Sequence, residues 1–142
     1  MARPVVADTI VFVDAVRGGR PEFFEAVRRG QVWLPIVVLT ELYAGTRSPA
    51  EVDQLDRLAQ HAAQGGRLLV PVASDWVEAG RLFARRIRLQ GALRPRDHLV
   101  DVLIVLLAAR IQGEVLTANV HHLEAWARLA RRSGRDVTVR AA

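Results

Sequence analysis

Asp97-His98-Leu99-Val100-Asp101-Val102-Leu103-Ile104-Val105-Leu106-Leu107-Ala108-Ala109, followed after Gly113 by Glu114-Val115-Leu116-Thr117, is the stretch that decides the fold. Its first part is apolar on every side of a helix, so a helix here is enclosed by other elements instead of lying on a surface. The unbroken apolar run, 102–109, is far too short to cross a bilayer. Gly113 stops the helix, and residues 114–117 read as a brief strand. A buried helix feeding a short apolar strand is what a parallel sheet covered by helices requires.

The same alternation extends outward. Pro4-Val5-Val6-Ala7 is a short strand-like run ending at Asp8, and residues 10–16 form an apolar segment stopped by Gly18-Gly19. Pro21 suits the first turn of a helix over 22–29, closed by Gly30. Val32-Trp33-Leu34 is a second strand, and Pro35 opens an apolar helix ending near Gly45. Val52, Leu55, Leu58, Ala59 and Ala62 recur at helical spacing over 50–64. Leu68-Leu69-Val70 reads as a strand, and Ser74 as the cap of a helix running toward Gly91. A helix over 121–132 and a strand over 137–139 complete the pattern. The expectation is one α/β domain over 1–142, its parallel sheet sandwiched by helices, with chemistry beyond the carboxyl ends of the strands. Asp8 and Asn119 fall at such ends.

Composition narrows the chemistry. The chain has 142 residues and a formal net charge of +5, and all 20 basic residues are arginine. Without lysine there is no Walker-type phosphate loop and no Schiff base. Without cysteine there is no thiol nucleophile, disulfide or cysteine-ligated zinc. The only serines, Ser48, Ser74 and Ser133, lie in no G-x-S-x-G elbow. Asp8 and Asp14 interrupt the N-terminal apolar segment, so no signal peptide is read and a cytoplasmic protein is expected. An arginine excess suits an anionic partner, because the guanidinium fork grips two phosphate oxygens; genome base composition produces the same excess.

Three carboxylates stand among apolar neighbours: Asp101 in the stretch quoted first, Glu41 in Ile36-Val37-Val38-Leu39-Thr40-Glu41-Leu42-Tyr43-Ala44-Gly45, and Asp8 between Val5-Val6-Ala7 and Ile10-Val11-Phe12. Burying a lone carboxylate is costly unless a cation or hydrogen-bond donors meet it. One divalent ion shared by all three is the economical account, and hard oxygen ligands suit Mg²⁺ or Mn²⁺. The bland account is a helix cap at Asp8 and arginine partners for the other two. Asp97 shares a helix face with Asp101 and reads as a cap. His121 and His122 are about 100° apart on a helix and poorly placed to share a metal. His61 and His98 have no ligand-type spacing. Trp33, Trp76 and Trp126 read as core or interface residues.

Val6-Ala7-Asp8-Thr9, Leu39-Thr40-Glu41-Leu42-Tyr43-Ala44-Gly45, Asp101-Val102-Leu103-Ile104 and Leu116-Thr117-Ala118-Asn119-Val120 stand in an order that resembles the PIN-domain family, most closely its VapC-type toxin ribonucleases. The resemblance covers nearly the whole chain. It implies a metal-dependent endoribonuclease acting on RNA, with Asp8, Glu41 and Asp101 as the Mg²⁺ or Mn²⁺ site and Asn119 as an accessory polar group. It also implies a VapB-type antitoxin partner and a homodimer; from the short apolar runs no membrane association is expected. Arg47, Arg94 and Arg96 flank the acids and are the candidates for phosphate contacts. Arg81, Arg85 and Arg88 share a helix face that either extends this track or is simply solvated.

The family often carries Asn or Ser where this chain has Ile10, and Asp where it has His122. Those departures motivate an alternative: a catalytically inactive PIN-like module that binds RNA or a protein. A phospho-receiver is disfavoured by the missing lysine.

Overall fold

The computed structural model describes residues 2–18 and 20–142. Five parallel strands, β1 (Val5–Ala7), β2 (Val32–Pro35), β3 (Leu68–Leu69), β4 (Glu114–Thr117) and β5 (Thr138–Ala141), form one sheet in the order β3-β2-β1-β4-β5. Among the described residues seven helices connect them: α1 (Thr9–Arg17), α2 (Pro21–Arg28), α3 (Ile36–Ala44), α4 (Pro49–Gln64), α5 (Ala73–Gln90), α6 (Pro95–Arg110) and α7 (Val120–Arg132). The α/β fold with a parallel sheet expected from the pattern is the fold found.

Strand order explains where a site can form. The chain builds outward from β1 to β3, then returns through α5 and α6 to place β4 on the other side of β1. The reversal puts the switch-point crevice, the usual ligand position in such sheets, at the carboxyl ends of β1 and β4. Asp8 and Asn119 border it directly. Register is fixed by the pairs Val5–Glu114, Val6–Val115 and Ala7–Leu116. Where α6 turns into β4, the Glu114 N–H donates to Pro4 O at 2.8 Å. A Cβ on Gly113 would lie 2.9 Å from that same oxygen, so only glycine fits the close approach.

The core lies between the sheet and its helices. In α6 every residue from 102 to 109 is buried, as the opening stretch requires, and Trp126, Phe12 and Leu34 are among the largest enclosed side chains. Phe83 meets the Trp126 ring edge-on at 5.4 Å. Truncating one such aromatic residue to alanine costs about 3–5 kcal/mol in a packed core. Among the described residues, no helix is long and apolar enough to cross a membrane.

Two capping expectations are corrected. Ser74 lies inside the first turn of α5; the cap is Val72, whose N–H donates to the Asp75 carboxylate at 2.8 Å. Asp75 wins because it is buried and also binds Arg110, tying α5 to the end of α6. Asp97 likewise lies inside α6, after Arg94 at the cap, and makes no capping hydrogen bond. Pro95 takes the first helical position, which moves the start of the helix upstream of Asp97. Of the Gly18-Gly19 stop, Gly18 follows α1 and donates to Asp14 O at 2.7 Å, whereas Gly19 lies outside the described residues.

Candidate active site

Asp8 leaves β1 and caps α1. Its Oδ1 accepts the Val11 N–H at 3.1 Å, and its Oδ2 accepts the Thr117 hydroxyl from the end of β4. Both Asp8 and Thr117 are buried. The cap reading and the site reading of Asp8 are therefore compatible: the side chain that starts α1 also reaches the carboxyl end of β4. The Thr117 oxygen in turn accepts the Asn119 N–H at 3.0 Å, which fixes the turn into α7. Asn119 is the cap residue of α7, with an exposed side chain that makes no capping bond.

Glu41 corrects an expectation. The apolar run around it suggested burial, but its residues divide between two faces: Val38, Leu39 and Leu42 are buried, while Thr40 and Glu41 are exposed. Glu41 accepts a hydrogen bond from the hydroxyl of Thr9, the residue after Asp8. That bond ties α3 to the start of α1.

Asp101 sits where α6 passes from exposed to buried, with 29 % of its side chain exposed. Its Oδ2 lies 2.9 Å from His122 Nε2 in the first turn of α7. Burial pushes the Asp101 carboxyl above its ordinary value; His122 pulls it back, and the charges of Asp8 and Glu41 push it further up. The three acids are thus electrostatically connected. Among the described residues, however, no three Asp, Glu or His side chains form a ready-made metal cage. Each acid is held instead by its own donor: Thr117 and Val11 for Asp8, Thr9 for Glu41, His122 for Asp101. The donor set is hard carboxylate oxygen carrying mutual repulsion, and its chemistry fits a divalent cation.

Sequence reasoning missed the histidines. His98 and His122 stack with ring centres 5.4 Å apart, and His98 lies 5.7 Å from the Trp126 ring. The signal was indirect: His122 stands in the first turn of the helix that follows Asn119, so it lies close to whatever the β4 end faces. Of the arginines expected to contact phosphate, Arg94 is the cap residue of α6, Arg96 lies in its first turn, and Arg47 precedes α4; all three are exposed. The backbone N–H of Arg47 donates to Glu51 at 2.6 Å, which anchors the loop that carries its guanidinium. Arg85 is not free to extend a track, because it donates to Ser133 Oγ at 2.9 Å beyond the end of α7. Of the tryptophans, Trp126 is core, Trp33 is half-buried under Arg67, and Trp76 is 49 % exposed.

Comparison with models of known protein families finds none that matches this chain, and comparison with curated proteins finds no match either.

Proposed function

We propose that this protein is an Mg²⁺- or Mn²⁺-dependent endoribonuclease of the PIN-domain type, the toxin of a VapBC-type toxin–antitoxin pair. One observation carries the reading. Asp8, Glu41 and Asp101 come from three separated segments, and the charges of the first two are felt at the third. Asp8 and Asp101 would hold the ion, with Glu41 beside them. A divalent ion, when bound, supplies Lewis acidity toward the scissile phosphodiester and makes a water more acidic.

The chain's own groups do the remaining work. Glu41, exposed and held by Thr9, accepts the proton of the attacking water. Thr117 and the Val11 N–H keep the Asp8 carboxylate oriented. Asn119, whose exposed amide follows the end of β4, would position a water or a carboxylate. Arg47, Arg94 and Arg96 offset the repulsion between an acidic site and a polyanion. A VapB-type antitoxin would restrain the site, and a cytoplasmic homodimer completes the reading.

The Asp101–His122 pair favours a second reading, an inactive PIN-like module that binds RNA or a protein, because Asp101 already has a partner. Labelled RNA incubated with the purified, antitoxin-free protein separates the two. The nuclease reading expects cleavage in Mn²⁺ or Mg²⁺ and none in EDTA. It expects a loss of about 10²-fold or more in Asp8→Asn and Asp101→Asn. No cleavage under any condition, or cleavage unchanged in both variants, overturns it.

A further inference from the structure

Away from the acids, α5 and α7 leave a cleft of about 140 Å³ between their C-terminal halves. Arg86, Arg128 and Arg132 line it, with Leu89 and Leu129 as apolar walls and Gln90 at the rim. Among the described residues, none of these three arginines is in an ion pair with a carboxylate, whereas eight other arginines are. The nearby acids are already engaged: Glu124 with Arg131, and Glu78 with Arg81 and Arg135. Arg86 is also preset. Its guanidinium lies over the Trp126 ring at 4.6 Å, and its Nη1 is buried with no hydrogen-bond partner. Three like charges converging without counter-charge, one of them immobilised with an unused donor, make a receptor for an anion.

The cleft is not isolated. Ala125 and Arg128 also line a second cavity, of about 380 Å³, that continues along α7 to Val120 and His121. His121 adjoins His122, which binds Asp101. At about 1.5 Å per helical residue, Arg132 lies roughly 17 Å along the axis from His121. The two cavities therefore share one face of α7, running from Arg132 past Glu124 to His121 in the first turn, one residue from the partner of Asp101.

We propose that this α5–α7 cleft binds the phosphodiester backbone of single-stranded RNA, with Arg86, Arg128 and Arg132 contacting phosphates several nucleotides from the acids. The proposal rests on the ribonuclease reading for the identity of the anion. An RNA strand offers evenly spaced phosphates along a groove of this length, and the apolar walls accept ribose and base faces. The cleft anchors the strand while the acids meet a more distant linkage.

The test is fluorescence anisotropy with a labelled single-stranded RNA of about ten nucleotides, long enough to follow the groove, in EDTA so that cleavage plays no part. Arg128→Ala/Arg132→Ala removes two guanidiniums from the cleft without touching the core. The expected result is about tenfold weaker binding or more, with a salt slope shallower by about 0.7 for each phosphate the variant no longer grips. Circular dichroism and an unchanged melting temperature establish that the variant is folded. Arg86→Gln, assayed in the same way, tests the stacked member. Wild-type protein that binds no RNA, or a folded double variant that binds as tightly as wild type, overturns the proposal. An acidic peptide whose binding needs these arginines, when RNA binding does not, also overturns it and points to a protein partner. Arginine-dependent binding without cleavage in any metal leaves the cleft standing and removes the nuclease reading. Cleavage with arginine-independent binding does the reverse.

Discussion

Asp8 stands at the start of a helix and Asp101 about two turns inside one, and the backbone around them decides how each charge is met. The first turn of a helix has N–H groups with no intrahelical acceptor, so Asp8 finds a donor in Val11 and adds the Thr117 hydroxyl. Inside α6 the N–H groups are committed to carbonyls one turn back, so Asp101 has no backbone donor and depends on His122 from another helix. Burial pushes the Asp101 carboxyl above its ordinary value. Place in the helix sets the supply of donors: two for Asp8, and one, from another helix, for Asp101.

The largest test of this contrast is Asp8→Ala. It deletes the cap of α1 and leaves the buried Thr117 hydroxyl without its acceptor, a combined loss of about 2–3 kcal/mol by urea denaturation. A loss near zero would show that the two bonds do not hold the crevice together. Asp101→Asn should move stability the other way, raising the melting temperature at neutral pH without divalent ions. The sign follows from the raised carboxyl. A folded value above the unfolded one means that stability is fully present below the unfolded value and lost as pH rises through the folded one. Asparagine removes that loss and still accepts from His122. A fall in melting temperature would instead identify Asp101–His122 as a structural ion pair.

The smallest effect concerns an exposed carboxylate. Tyr43, the only tyrosine, donates to Asp56 at 2.5 Å, which pushes its hydroxyl up to about 12. Ultraviolet titration should give a midpoint near that value, and Asp56→Asn should return it toward the ordinary value of about 10. An unmoved midpoint would mean that an exposed partner leaves no imprint.

These contrasts mark how far the sequence could be read. The strand at 114–117 and the helix closed near Gly45 were legible because periodicity and stop residues are local. Which of Ser74 and Asp75 serves the start of α5 was not legible, because Arg110, distant in the chain, holds Asp75. The exposure of Glu41 was hidden by an apolar run that turns out to wrap both faces of α3. His122 reaches Asp101 only through the packing of α7 on α6, which no spacing rule reports. The arginines were visible as a count. Which of them meet a carboxylate, as Arg110 meets Asp75, and which gather in one cleft, as Arg86, Arg128 and Arg132 do, belongs to tertiary structure.

The central place of β1 has a consequence for the chain as it is being made. Asp8 emerges early, but the hydroxyl that holds it belongs to Thr117, 109 residues later. Thr117 ends β4, the strand that flanks β1 in the sheet, and His122 is later still. Until β4 docks, β1 has an open edge and Asp8 lacks its second donor. A chain halted before Thr117 therefore carries the first acid without an assembled site, and the crevice closes only near the end of synthesis.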